Sequence, residues 1–400
     1  MKKSWLASLI AVVFALFFPI VGNAAADEGN LEKVASNSAK VSKGEQVKGE
    51  VIVKFKDKVS VNQQSKVLNN ANAKVKADVD AVQSPFLVLE VGNVDAVVKA
   101  LNNNPNVEYA EPNYVLNATW SPNDTYFSPS YQYGLFNTDA DHAWDVTRGS
   151  SSQEIAVLDT GVDYNHPDLD GKVVLGYDFV QNDWYPQDQN GHGTHVAGIA
   201  AAETNNATGI AGMAPNTKVL AVRVLDAQGS GSLADIADGI IYAADAGAEV
   251  INLSLGCNCD TQTLENAVNY AWNRGAVVVA AAGNDGVRTT FEPASYENVI
   301  AVGAVDSNNR KANFSNWGTW VDVMAPGVDI ASTYPNNSYV YMSGTSMASP
   351  YVAGQAALLT GQGKNNVQVR VAIENTAVYM NGVGRTVEHG LINVNASVQY

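Results

Sequence analysis

The hydrophobic pattern changes character several times along the chain, and each change predicts a different kind of element. Met1-Lys2-Lys3 is basic, Leu6 to Val21 is almost wholly apolar, and Ala24-Ala25-Ala26 supplies small residues. That order predicts a secretory signal peptide over residues 1–26, cut after Ala24 or Ala26. A membrane anchor is the competing reading, but an apolar run of about 16 residues is shorter than the ~20 that span a bilayer. Residues 27–48 are polar and are expected to form a flexible segment.

From Gly49 the pattern becomes that of a folded domain. Glu50-Val51-Ile52-Val53-Lys54-Phe55 alternates with the period of a strand. Val61 to Ala73 reads as a helix with Ser60 at its N-cap. Phe86 to Val91 is a second strand, Val94 to Asn102 a second helix, and Val107 to Pro112 a third strand. Two helices on an antiparallel sheet predict a small α+β, ferredoxin-like domain over residues 49–119.

Residues 120–400 read as one larger α/β unit. Glu154–Leu158, Val219–Val224, Val250–Ser254, Ala276–Ala281 and Val299–Val305 are apolar runs of strand length. Helical stretches at Val196–Ala202, Leu233–Ala246 and Leu264–Trp272 alternate with them, and Ser346–Leu359 and Val367–Asn375 follow. Alternation of this kind predicts a mostly parallel central sheet covered on both faces, with sites in loops at the carboxyl edge of the strands.

Composition sharpens the division. Apolar residues make up 46% and charged residues 16% of the 400, which excludes a disordered chain. Two cysteines exclude a disulfide-framework miniprotein and a multi-cysteine zinc protein. Residues 1–119 hold 13 Lys against 12 acidic residues, whereas residues 120–400 hold 11 Lys and Arg against 28 acidic residues. The net charge of −16 argues against nucleic acid as a partner, and the acidic unit is suited to recruit cations.

Three loop segments carry candidate chemistry. Asp159-Thr160-Gly161 follows the first strand of the large unit, Asn190-Gly191-His192-Gly193-Thr194-His195 leads into a helix, and Ser343-Gly344-Thr345-Ser346 leads into another. A serine at a helix start is often only a cap, and a loop histidine often has no role. Together the segments supply a nucleophile, a base and a carboxylate to orient the base. His195 is read as structural, because the spacing is not that of a His-Glu-x-x-His zinc protease. The serine segment is not Gly-x-Ser-x-Gly, and the Asp, His, Ser order is not that of an α/β-hydrolase esterase.

Val157-Leu158-Asp159-Thr160-Gly161, His192-Gly193-Thr194-His195-Val196-Ala197-Gly198 and Gly344-Thr345-Ser346-Met347-Ala348-Ser349-Pro350 resemble the three signatures of the subtilisin-like serine proteases, peptidase family S8. They occur in that family's chain order, and the similarity over 120–400 is to the thermitase branch. The resemblance implies a subtilisin-like three-layer fold. It implies Ser346 as nucleophile, His192 as general base and acid, and Asp159 as orienting carboxylate. Asn284, in Ala282-Gly283-Asn284-Asp285-Gly286, resembles the oxyanion-hole donor; its plainer reading is a turn residue. Ser254-Leu255-Gly256 and Ala281-Ala282-Gly283 would wall the S1 pocket, with Phe291 near its floor. The 49–119 domain resembles the inhibitor-I9-type propeptide of the family, which assists folding and lays its C-terminal strand, Tyr109 to Asn117, in the cleft. Autocleavage is then expected between Asn117 and Trp120.

Calcium follows from the same resemblance. One strong site would use Asp124, Asp168, Asn206 and oxygens of Glu203, Thr208 and Ile210. A second, weaker site would use Asp178, Asp183, Gln187 and the Tyr185 carbonyl, with Gln181 standing where the family has a further Asp. A monovalent-cation site would use the carbonyls of Ala294, Tyr296 and Val299. Asn and Asp at several of these positions also suit ordinary turns. Cys257 and Cys259 flank one residue beside the S1 wall; in a secreted protein they are expected to be oxidised and to stiffen that wall, the competing reading being two free, weakly packed thiols. Tyr351 stands where the family usually has His, which bears on packing behind the serine helix. The expectation is a secreted, monomeric, calcium-stabilised serine endopeptidase with protein and peptide substrates. The competing readings are a catalytically silent binding protein that keeps the fold and a secreted esterase.

Overall fold

The computed structural model describes residues 46–76, 84–115 and 120–400. The expected signal peptide, most of the flexible segment and residues 116–119 of the expected processing junction lie outside the described residues. The chain forms two compact units, one within residues 40–119 and one containing Trp120–Tyr400.

The smaller unit runs β1 (Gln46–Phe55), α1 (Val61–Asn70), β2 (Lys74–Val75), β3 (Leu87–Glu90), α2 (Val94–Asn102) and β4 (Val107–Tyr114). Its strands form an antiparallel sheet in the order β2-β3-β1-β4. Period-2 alternation puts Val51 and Val53 of β1 on the buried face, where they meet Leu89, Val97 and Leu101. The Asn93 side chain caps α2 by accepting from Ala96 N–H. Helix α1 stops at Asn70, short of the expected Ala73, because Asn72 turns left-handed with φ 51° and ends the repeat.

The larger unit runs α3 (Tyr133–Asn137), α4 (Ala140–Ala143), β5 (Glu154–Asp159), β6 (Val173–Asp178), α5 (His192–Ala201), β7 (Lys218–Arg223), α6 (Leu233–Ala246), β8 (Val250–Leu253), α7 (Gln262–Asn273), β9 (Val277–Ala281) and β10 (Ile300–Val305). It continues with β11 (Val323–Pro326), β12 (Ile330–Tyr334), β13 (Ser338–Met342), α8 (Thr345–Gly361), α9 (Asn366–Asn375), β14 (Gly390–Leu391) and α10 (Val394–Val398). Eight strands make one sheet in the order β14-β11-β10-β9-β8-β5-β7-β6, every neighbouring pair parallel. β12 and β13 form a separate antiparallel hairpin.

Alternation along each strand builds the three layers. Ile155 and Val157 of β5 face one core with residues of α5 and α8, whereas Ala156 and Leu158 face a second core with residues of α6 and α7. Both faces are covered, so the strands read as continuous apolar runs. Helix α8 passes through the first core with nearly its whole length buried. The parallel order places the ends of β5, β8 and β9, and the starts of α5 and α8, at one edge of the sheet. Tyr351 is buried within this core, its ring end lying where Gly134 has no side chain. Among the described residues no helix is long and apolar enough to cross a membrane.

Candidate active site

Asp159 is the last residue of β5 and is fully buried. Its Oδ1 accepts from Thr160 N at 2.8 Å and meets His192 Nδ1 at 2.7 Å. His192 opens α5 and is partly exposed, with 22% of its side chain accessible. Burial pulls its pKa down, but the Asp159 charge, the Asp159 hydrogen bond and the nearby Asp188 charge outweigh burial and hold it above the ordinary histidine range. Nδ1 is therefore committed to Asp159.

Ser346 is the second residue of α8. Its hydroxyl donates to the Ser254 carbonyl at 3.2 Å. The helix around it is shaped by Pro350, which lacks the N–H that would pair with the Ser346 carbonyl. The Ser254 hydroxyl fills that gap, donating to the Ser346 carbonyl at 2.8 Å. Behind it, Asn252 Nδ2 donates to Ser254 Oγ at 3.0 Å, and Ser349 Oγ donates to Asn252 Oδ1 at 2.7 Å. This chain of buried polar groups ties the serine helix to the end of β8.

Asn284 is held by its own carbonyl oxygen, which accepts from Thr345 N at 2.8 Å and Thr345 Oγ1 at 3.0 Å. Its Nδ2 is the donor left for the site. A Cβ built on Gly344 would stand 3.5 Å from Asn284 Nδ2 and 3.7 Å from Ser346 N, so the two nitrogens lie close to one point beside the serine. Two N–H donors this near a serine hydroxyl are what an oxyanion-binding site requires.

Ser254-Leu255-Gly256 continue from the end of β8, and Ala281-Ala282-Gly283 run off the end of β9. The Phe291 ring lies against both wall glycines, within 3.0 Å of a Cβ built on Gly283 and crowding one built on Gly256. Cys257 pairs with Glu292 through two backbone hydrogen bonds of 2.8 Å. The Cys257 and Cys259 sulfurs come within bonding reach, their Cα atoms 5.3 Å apart. His195 is fully buried with Nε2 against the Val340 carbonyl at 3.2 Å. Burial pushes its pKa down to about 3, so it is a neutral core group.

The cation-site candidates differ in how well their residues fit a metal. The Asp124 carboxylate accepts from Asn205 N, at 2.8 Å to one oxygen, and Asp168 accepts from Asn206 Nδ2 and Ile210 N at 2.8 Å each. Glu203 N donates to the Asp168 carbonyl, and Thr208 N to Asn206 Oδ1. Burial raises both carboxyl pKa values, that of Asp168 to about 7, with the Asp124 charge adding to the Asp168 shift. Two buried carboxylates whose charge is disfavoured are a fit for a divalent cation.

In the second group, Asp178 and Asp183 are joined through their backbones, and Asp183 Oδ1 accepts from Tyr185 N at 2.8 Å. Gln187 Oε1 is buried without a hydrogen-bond partner while its Nε2 donates to Asp163, which is the posture of an oxygen ligand. Asp178 is also claimed by Arg223 at 3.0 Å. In the third group the Tyr296 carbonyl already accepts from Val299 N at 3.1 Å, and Ala294 and Val299 are buried.

Several residues that organise this site lie outside the three signature segments. Asn252 is a polar residue inside an apolar strand, and Asp188 is an acidic residue four positions before a helix start; both are signals of buried hydrogen bonding and capping.

Comparison with known proteins agrees with the geometry. Residues 150–392 match the model of the subtilase family, and residues 32–113 match that of the fervidolysin N-terminal prodomain. The chain is 64% identical over 402 residues to a thermophilic serine proteinase of Bacillus sp. strain AK1, all of both chains being covered. It is 56% identical to thermitase of Thermoactinomyces vulgaris over 281 residues, 70% of this chain and all of the relative. A solved protease structure from Pseudoalteromonas arctica superposes with a TM-score of 0.64 at 34% identity, covering 70% of this chain and 99% of that one. Motifs, parallel sheet and whole-length identity lead to one conclusion: the chain belongs to the subtilase family and is a thermitase-like serine endopeptidase with an N-terminal prodomain.

Proposed function

We propose that peptide hydrolysis runs through Asp159, His192 and Ser346, in an enzyme secreted as a pre-pro-protein, stabilised by calcium and matured by its own activity. The observation that carries this reading is the 2.7 Å contact between the buried Asp159 carboxylate and His192 Nδ1. A carboxylate at Nδ1 holds the tautomer that leaves the Nε2 lone pair free for a proton. Ser346 Oγ leaves the Ser254 carbonyl, passes its proton to Nε2 and bonds the substrate carbonyl carbon. The resulting oxyanion takes hydrogen bonds from Asn284 Nδ2 and Ser346 N–H. His192 then gives its proton to the departing amine as the C–N bond breaks; water, deprotonated by the same Nε2, attacks the acyl carbon, and that proton returns to Ser346 Oγ as the ester bond breaks and the acid leaves.

Substrate backbone pairs with Ser254-Leu255-Gly256 and Ala281-Ala282-Gly283 as an added strand. Phe291 fills the floor between these walls, so small P1 side chains are preferred. A Cys257–Cys259 disulfide, pinned to Glu292, stiffens the same wall. Residues 1–26 serve as signal peptide. Residues 49–119 act as propeptide that assists folding and inhibits the peptidase, with cleavage falling between Asn117 and Trp120. Residues 120–400 are the mature, monomeric peptidase.

Calcium would be held by Asp124, Asp168 and Asn206 with oxygens of Glu203, Thr208 and Ile210, and more weakly by Asp178, Asp183, Tyr185 and Gln187. It supplies the positive charge that the buried carboxylates call for. Carbonyls of Ala294, Tyr296 and Val299 are the monovalent-cation candidates. The test is labelling with a fluorophosphonate, followed by peptide mapping. A single adduct on Ser346, absent in His192→Ala, is expected; an adduct elsewhere, or equal labelling without His192, sinks the reading.

A further inference from the structure

Helix α5 starts at His192 without a side chain of its own to cap it. Its N-cap is Gly191, at φ 109°, and the amides of the first turn need outside acceptors. Asn190 Oδ1 takes His192 N at 3.2 Å, Thr160 Oγ1 takes Gly193 N at 3.0 Å, and Asp188 Oδ2 takes Thr194 N at 2.9 Å. Asp188 does more than cap. It also accepts from Thr194 Oγ1 at 2.6 Å, from Asn190 N and Gly191 N at 2.9 Å each, and from Thr160 Oγ1 at 2.8 Å.

The Thr160 contact closes a circuit. Thr160 N donates to Asp159 Oδ1, the oxygen that meets His192 Nδ1. One carboxylate, 6% exposed, therefore grips the loop after Asp159 on one side and the first turn carrying His192 on the other. With both oxygens filled by donors it is not placed to carry protons. Resting on the triad reading above, we propose that Asp188 is a positioning residue for the hydrolytic reaction: it sets the Asp159–His192 geometry by bracing the Asp159 loop against the start of α5.

A second effect runs the same way. The fixed negative charge of Asp188 favours the imidazolium that forms at His192 in the transition state.

The test uses the mature enzyme with Asp188→Asn, which keeps shape but replaces an accepting oxygen by a donor, and Thr160→Val, which keeps volume but deletes the bridging hydroxyl. Each is measured for kcat and KM separately on a peptide p-nitroanilide. The low-field proton resonance of His192 Nδ1–H reports the Asp159 contact directly. The expected result is a kcat loss of about a hundredfold for Asp188→Asn, the scale of an ångström of misplacement. Thr160→Val should lose less. KM stays within about twofold in both, and the low-field resonance moves. If Asp188→Asn does not fold, Thr160→Val carries the test by the same two readouts. Wild-type kcat in either folded variant, or a kcat loss with an unmoved resonance, overturns the proposal. His192→Ala separates the two readings: activity retained there refutes the triad, whereas an inactive His192→Ala beside a fully active Asp188→Asn refutes only the brace.

Discussion

Gly193→Ala is the substitution whose consequence the structure fixes most tightly. Gly193 is the second residue of α5, directly after His192, and it packs against the end of β5. A Cβ built there stands 3.0 Å from Asp159 Cβ and overlaps the Gly161 carbonyl oxygen, well inside the 3.0 Å floor for real contacts. The blocking atom is backbone, so no side chain can swing aside. Relief requires the helix start and the strand end to part by roughly 1 Å, and a misplacement of that size at a reacting group costs about a hundredfold in rate. Overpacking also costs about 1–3 kcal/mol of stability. The assay is kcat/KM on a peptide p-nitroanilide beside the thermal midpoint of the same preparation. A folded Gly193→Ala enzyme with kcat/KM within threefold of wild type would refute the reasoning, because the Asp159–His192 contact could then absorb the added methyl.

Other outcomes follow from the same geometry. His192 must be neutral to act as base, and its pKa is raised, so activity falls with decreasing pH at a midpoint above the ~6.5 of an unperturbed histidine; a kcat/KM profile with its acid limb at or below that value contradicts the Asp159 contact. Calcium at a hundredfold over its dissociation constant contributes about 2.7 kcal/mol per site, so a chelator should lower the thermal midpoint, and Asp168→Asn should blunt the effect; scanning calorimetry with and without chelator decides. Phe291→Gly should open the S1 floor and raise kcat/KM for a P1 Phe substrate at least tenfold relative to P1 Ala; an unchanged ratio removes Phe291 from the pocket.

Much of the fold is legible in the sequence because strands buried on both faces are unbroken apolar runs, as at Glu154–Asp159 and Ile300–Val305. What escapes is physically distinct. β6 is an edge strand, with Leu175 exposed and Gly176 interrupting the run. β11 is short and ends in Pro326, and β14 has two residues, so neither carries a period. The β12–β13 hairpin is announced by Asn336-Asn337, both at positive φ, a turn signal the apolar pattern does not weigh. The start of α5 at His192 escapes for a different reason: its capping groups are Thr160 and Asp188, brought in by tertiary structure. Asp159, His192, Ser346 and Asn284 stand out through motif resemblance. Of the groups that hold them, Thr345 and Ser349 fall inside the serine signature, whereas Asp188 and Asn252 lie outside every motif; the contacts of all four emerge only from hydrogen-bond geometry.

The most direct measurement compares purified wild type with Ser346→Ala, following casein hydrolysis and the mass of the recovered chain. Wild type should digest casein and shrink to the Trp120–Tyr400 mass, while Ser346→Ala stays inert and keeps residues up to 119 covalently attached. A Ser346→Ala protein that still digests casein or still loses its N-terminal domain by its own action would contradict the assignment of Ser346 as nucleophile and of the enzyme as its own processing protease.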